Sequence, residues 1–81
     1  MSRSEVFAKI TNIVRTLFDE YEGAVTPDLN ARQVEQWDSL ANVQLMVMVE
    51  QAFKFRFTTE QISNLKNLDE LTSLVLKKLE Q

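Results

Sequence analysis

Glu35-Gln36-Trp37-Asp38-Ser39-Leu40, followed by the run Ala41 to Phe53, decides how this chain is read. Asp38 is a good helix N-cap. Leu40, Val43, Leu45, Met46, Val47, Met48, Val49, Ala52 and Phe53 follow it, with only Asn42, Gln44, Glu50 and Gln51 as polar breaks. A surface helix needs an apolar stripe of only about 100°, and this one is apolar on nearly every side. It is therefore either the central helix of a small bundle or a helix that keeps one face for a ligand or partner. Ser39 falls in the first turn, where unpaired backbone N–H groups and the positive end of the helix dipole favour an anion. A hydroxyl there can carry a phosphate ester without burying a bare negative charge.

The rest of the composition narrows the class. A chain of 81 residues is expected to form one domain, 1–81, near the size at which a single hydrophobic core suffices. One Gly and one Pro are too few for the turns of an all-β sandwich, so the fold is expected to be all-α. There is no cysteine and no histidine, which removes disulfides, thiolate ligands, the thiol nucleophile and the commonest general base. No carboxylate spacing resembles a calcium loop, and no catalytic or metal-ligating residue is assigned. The N-terminus leads into a charged amphipathic segment with no secretory core, and no run reaches the roughly 18 apolar residues of a membrane span. A soluble, cytoplasmic monomer is expected. The net charge is −3 and the nine basic residues are scattered, so nucleic acid is not an expected partner.

Outward from the serine turn, Val6, Ile10, Ile13 and Leu17, widened by Phe7, Val14, Phe18 and Tyr21, predict a first helix from about Arg3 to Tyr21, stopped by Gly23 in the left-handed conformation. Periodicity fails from Gly23 to Trp37; Thr26-Pro27-Asp28 is a turn signal, and a short turn around Asn30 to Val34 fits. Val25, Leu29 and Val34 are expected to pin this loop to the bundle. Trp37 reads as an anchor for the serine turn, or alternatively as a partner-facing side chain. Phe53-Lys54-Phe55-Arg56-Phe57 has the alternation of a strand, but no partner strand exists in the sequence. An extended connection with inward phenylalanines accounts for it equally well. Thr58 or Thr59 can cap a short helix to about Asn64, Thr58 with Gln61 having the capping-box spacing, and Ile62 and Leu65 are expected to face inward. Asn67 with Glu70 opens a last helix to about Leu79 on a stripe of Leu68, Leu71, Leu74, Val75 and Leu79. Lys77 and Lys78 suit its C-terminal dipole.

This order of elements around Trp37-Asp38-Ser39-Leu40 resembles the acyl carrier protein family over almost the whole length. Asp-Ser-Leu alone recurs by chance; with Trp37 before it and Val43, Leu45, Glu50 and Phe53 after it at the family's spacing, the pattern is specific. The resemblance implies a four-helix bundle, three main helices and one short, with a long loop between the first two. It implies that Ser39 carries 4′-phosphopantetheine from coenzyme A, with Asp38 helping to bind the phosphopantetheinyl transferase and its metal. Leu40, Val43 and Val47, with Glu35 and Glu50, would form the surface met by acyl-loading and acyl-processing enzymes. Leu45, Val49, Phe53, Ile62 and Leu71 would line the core into which an acyl chain slips. On that reading the protein catalyses nothing and tethers thioesters for its partners.

The sequence also departs from the family. Ala41 and Gln44 stand where carboxylates are frequent on the second helix, and only Glu35, Asp38, Glu50 and Glu60 remain as an acidic rim, which points to a specialised pathway with weaker charge steering. Val34-Glu35-Gln36-Trp37 has none of the glycines that usually precede the serine in peptidyl carriers, and the start at Met1 favours a free-standing carrier. The alternative from another class is an unmodified helical interaction module gripping a partner through the 43–49 face. On that alternative Ser39 is an ordinary first-turn serine.

Overall fold

The computed structural model describes residues 1–80, in which four helices form: α1 (Arg3–Leu17), α2 (Ser39–Phe53), α3 (Thr59–Asn64) and α4 (Leu68–Leu79). No strand occurs among the described residues. α1 begins with a reciprocal cap: Ser2 Oγ accepts from the Glu5 N–H and Glu5 Oε1 accepts from the Ser2 N–H (3.2 and 3.1 Å). Its buried stripe is Val6, Ile10 and Val14, extended by Phe18; Ile13 and Leu17 are only half-buried.

α1 ends before the expected Tyr21, and the glycine stop is not what ends it. Phe18 leaves the helical region (φ −107°, ψ 62°) with its N–H on Val14 O. The turn brings its ring 5.4 Å from that of Trp37, stacked at 26°. Gly23 has no positive φ. A Cβ there would lie 2.6 Å from Tyr21 Cζ, so any larger residue would have to displace the Tyr21 ring. Tyr21 lies over the glycine and donates its hydroxyl to Ala24 O (2.9 Å).

The connection 18–38 is pinned as expected, with Leu29 and Val34 fully buried and Val25 half-buried. It also caps α4: Leu29 O accepts from the Leu68 N–H (3.1 Å) and Pro27 O from the Asp69 N–H (2.7 Å). Two of the orphan donors at that helix start are thereby satisfied. Arg3 secures the same corner, pairing with the Asp69 carboxylate and donating to Ser73 Oγ (3.0 Å).

Beyond α2 the Phe-rich segment is an extended connection and not a strand. Lys54 takes the left-handed conformation (φ 61°, ψ 48°) with its N–H on Glu50 O. Glu50 Oε2 accepts from the Phe57 N–H at 2.6 Å. Phe53 and Phe57 are buried and Phe55 half-buried, with ring centroids 6.2 Å (53–55) and 5.0 Å (55–57) apart. The Thr58–Gln61 capping box forms, but Ile62 and Leu65 reach only half-burial and α3 contributes no fully buried residue. Asn67 caps α4 as predicted. Asn67 Oδ1 takes the Glu70 N–H (2.9 Å), but the Glu70 side chain accepts from the Lys66 N–H (3.0 Å), one residue short of the reciprocal bond. Leu68, Leu71 and Val75 are buried; Leu79, expected on the inner stripe, is the last residue of α4 and is 38 % exposed.

Two outcomes are expected from this architecture. Trp37→Ala removes the ring on which Phe18 rests and should cost about 3–5 kcal/mol, read as a lowered urea midpoint at unchanged slope; a loss below 1 kcal/mol would contradict the anchor. Glu5 is held below the usual carboxylate range, first by the Ser2 backbone N–H and then by its hydroxyl. A lowered folded-state pKa stabilises above the unfolded value and is lost as pH falls through the folded one. Glu5→Gln should therefore be less stable than the parent at neutral pH, and the two should converge in acid. A gap independent of pH would refute this.

Candidate functional site

The serine turn is built from its cap outward. Asp38 is extended (φ −99°, ψ −172°), its Oδ1 accepts from the Ala41 N–H at 2.8 Å and its carbonyl from the Asn42 N–H at 2.9 Å. The amides of Ser39 and Leu40, at the first two helical positions, are left without a protein acceptor among the described residues. The Ser39 side chain is exposed, and its hydroxyl makes no hydrogen bond to the protein among the described residues. A free hydroxyl thus stands beside two free N–H groups at the positive end of a 15-residue helix.

Trp37 fixes where this turn points. It is an anchor and not a partner-facing group: 9 % exposed, stacked on Phe18, with Nε1–H donating to Asn42 Oδ1 at 3.0 Å. Asn42 was only a polar break in the sequence; its partnership with an indole five residues earlier has no spacing signature. A cleft of about 380 Å³ opens beside the serine between the α2 start and the α3–α4 corner, and Ile62, Ser63, Leu65 and Lys66 form its far wall. Leu65 is legible from sequence only as an inward residue of the short helix, and Ser63 and Lys66 carry no signal at all, because nothing in the chain alone brings that corner to Ser39.

α2 resolves the choice posed by its all-round apolarity by having both faces. Leu45, Met46, Val49 and Phe53 are buried, while Leu40, Val43 and Val47 are 69 %, 51 % and 42 % exposed. The exposed three lie at i, i+3 and i+7, so they form one stripe running away from Ser39. The carboxylates expected beside it are placed differently. Glu35 is exposed but lies off the helix, sharing a depression with Glu20, Tyr21 and Glu22. Glu50 is half-buried at the far end, occupied by the Phe57 N–H. Leu45, Val49, Phe53 and Leu71 come together in the central core. Ile62 packs on its edge and faces the cleft beside Ser39.

No family model matches the sequence. The acyl carrier protein of Coprothermobacter proteolyticus is 28 % identical over 75 residues, 93 % of this chain and 92 % of its own length. That of Rubrobacter xylanophilus is 29 % identical over 77 residues, 95 % of each. Among solved structures, the holo acyl carrier protein of Geobacter metallireducens is 33 % identical and superposes with a TM-score of 0.83 over 93 % of this chain and 86 % of that one. A Mycobacterium tuberculosis chain at 16 % identity shares the fold, with a TM-score of 0.80 over 90 % of this chain and 97 % of its own. Four helices with a long first connection, an exposed serine at the start of the second and these likenesses over nearly the whole length agree: the chain belongs to the acyl carrier protein family, whose members are carriers and not catalysts.

Proposed function

We propose that Ser39 is the attachment point of a 4′-phosphopantetheine arm delivered from coenzyme A by a phosphopantetheinyl transferase. The chain, a single carrier domain over 1–81, then presents acyl thioesters in the cytoplasm, as a monomer, to enzymes of fatty acid, polyketide or related specialised biosynthesis. The observation that carries this is the unengaged Ser39 hydroxyl, exposed above a cleft at a helix start with free amides. The likeness to a holo relative supports it.

The residues present fit such a group. A phosphodiester on Ser39 Oγ would accept from the Ser39 and Leu40 amides and gain the helix dipole without displacing an existing contact. When bound, the arm supplies the thiol that this cysteine-free chain lacks, and acyl groups ride on it as thioesters. The protein's own work is positional. Asp38 caps the turn that holds the hydroxyl outward, and its second carboxylate oxygen is available to the transferase and its metal. Leu40, Val43 and Val47 give partner enzymes an apolar strip next to the tether, and tethering raises the local concentration of the acyl group at each of them. Leu45, Val49, Phe53, Ile62 and Leu71 are the side chains an acyl chain would part on entering the bundle. The few carboxylates on α2 favour a specialised pathway over one reached by broad acidic steering.

Incubation with coenzyme A, magnesium and broad-specificity transferases should add one phosphopantetheinyl group by intact mass, and Ser39→Ala, folded alike, should add none. A folded parent left unmodified while a control carrier is loaded would overturn the proposal in favour of an unmodified interaction module. Asp38→Ala should lose about 1 kcal/mol with the cap and load slowly. Asp38→Asn should keep the stability and still load slowly; loading at the parent's rate would reduce Asp38 to a cap.

A further inference from the structure

α2 carries one acidic residue, Glu50, and no basic one, and the Glu50 carboxylate is held by the Phe57 N–H at 2.6 Å. The Glu50 carboxylate keeps its charge, and the other charges that frame the exposed stripe come from the two ends. At the start stands Asp38. At the other end, 15 residues on and about 22 Å away at 1.5 Å per residue, the charges are positive. Lys54 and Arg56 are both exposed. Arg3–Asp69 is the sole ion pair among the described residues, so neither cation is neutralised. Two further ammonium groups back the same corner: Lys78 lies 5.7 Å from the Phe55 ring centroid and 6.0 Å from that of Phe57, and Lys9 lies 5.6 Å from that of Phe53. Four cations thus surround three phenylalanines in a molecule whose net charge is −3.

This corner is concave. Val47, Glu50, Gln51, Phe55 and Arg56 line a cleft of about 320 Å³. Val47 belongs both to this cleft and to the exposed stripe that begins at Leu40, so the two surfaces are continuous. We propose that this cleft receives an acidic, partly apolar segment of the partner protein, its carboxylates facing Arg56 and Lys54 and its apolar side chain resting on Val47 and Phe55. The docking strip of α2 is then polarised, acidic beside Ser39 and basic at the Phe53 end, and it sets the direction in which a partner lies along the helix. The assignment of that partner as an acyl-handling enzyme rests on the carrier reading; the acid-seeking cleft does not. A protein segment fits better than an anionic membrane, because the aromatic rings are packed inward, two of them buried, and none protrudes to enter a bilayer.

The test uses the full-length protein, loaded on Ser39, or unloaded if loading fails. Two synthetic helical peptides share one leucine stripe, one flanked by glutamates and the other by lysines, and each is titrated while backbone amide signals are followed. The acidic peptide should bind more tightly by roughly fivefold at low salt, the sum of two exposed pairs. It should shift Val47, Gln51, Phe55 and Arg56, and the preference should shrink as salt is added. Lys54→Glu with Arg56→Glu should reverse it. If the double variant is poorly folded, Arg56→Glu alone, whose parent side chain makes no hydrogen bond among the described residues, should still bring the two peptides to about equal affinity. Equal affinity of the two peptides for the parent protein, shifts centred elsewhere, or binding to phosphatidylglycerol vesicles without peptide discrimination would each overturn the proposal. A protein that loads but does not discriminate keeps the carrier function and loses this cleft. One that discriminates but does not load keeps the cleft and loses the carrier.

Discussion

The stack of Trp37 on Phe18 is the contact on which the rest of the site depends. It stops α1 at Leu17, turns the chain into the long connection, and places the residue before the Asp38 cap. Through Nε1–H and Asn42 the same ring reaches into the first turn of α2, so the serine that follows is held between a buried indole on one side and a capped helix on the other. A long connection would ordinarily be the loosest part of so small a molecule. Here Leu29 and Val34 are buried, and its carbonyls cap the start of α4. The loop is thus part of the frame that presents Ser39.

From that frame the division of α2 follows. Its buried side supplies the middle of the core, and its exposed side would be a solubility liability on a molecule with no other use for it. Polar residues within the helix are few and mostly uncharged, so the electrostatic character of the exposed face is set by neighbours at its ends. Glu50, by serving the chain just after the helix, ties the Phe-rich connection back to α2 and takes itself out of the set of free surface acids.

Much of this was legible in the sequence where a local rule had a local cause. The boundaries of α2, the Asp38 cap, the Thr58–Gln61 box and the Asn67 cap each depend on residues within one turn, and each stands as expected. What failed depended on a distant partner in one case and, in the others, on near neighbours that the spacing rules do not rank. α1 was extended to Tyr21 because its apolar spacing continues; the spacing cannot reveal that Phe18 is drawn away to meet an indole. Gly23 was assigned a conformation when its constraint is room for a ring. Glu70 was expected to complete a box and bonds one residue earlier, and Leu79 keeps the period of a stripe that has already run past the core. The serine was legible from its setting, but the cleft beside it joins α2 to a corner near Lys66 that no periodicity links to it.

Lys54 shows how this molecule treats the end of α2. A helix terminated by a left-handed residue usually has glycine there, since any side chain in that conformation costs about 1 kcal/mol or more. At this position the chain has a lysine instead, with φ 61°. Folding free energy is forgone where the cheapest residue would have been neutral and nearly featureless. What the chain retains is a charged group whose backbone is fixed at a sharp reversal, its stem rooted at a point that does not wander with a flexible loop. The strain at one residue thus turns a generic helix stop into a cation with a defined origin.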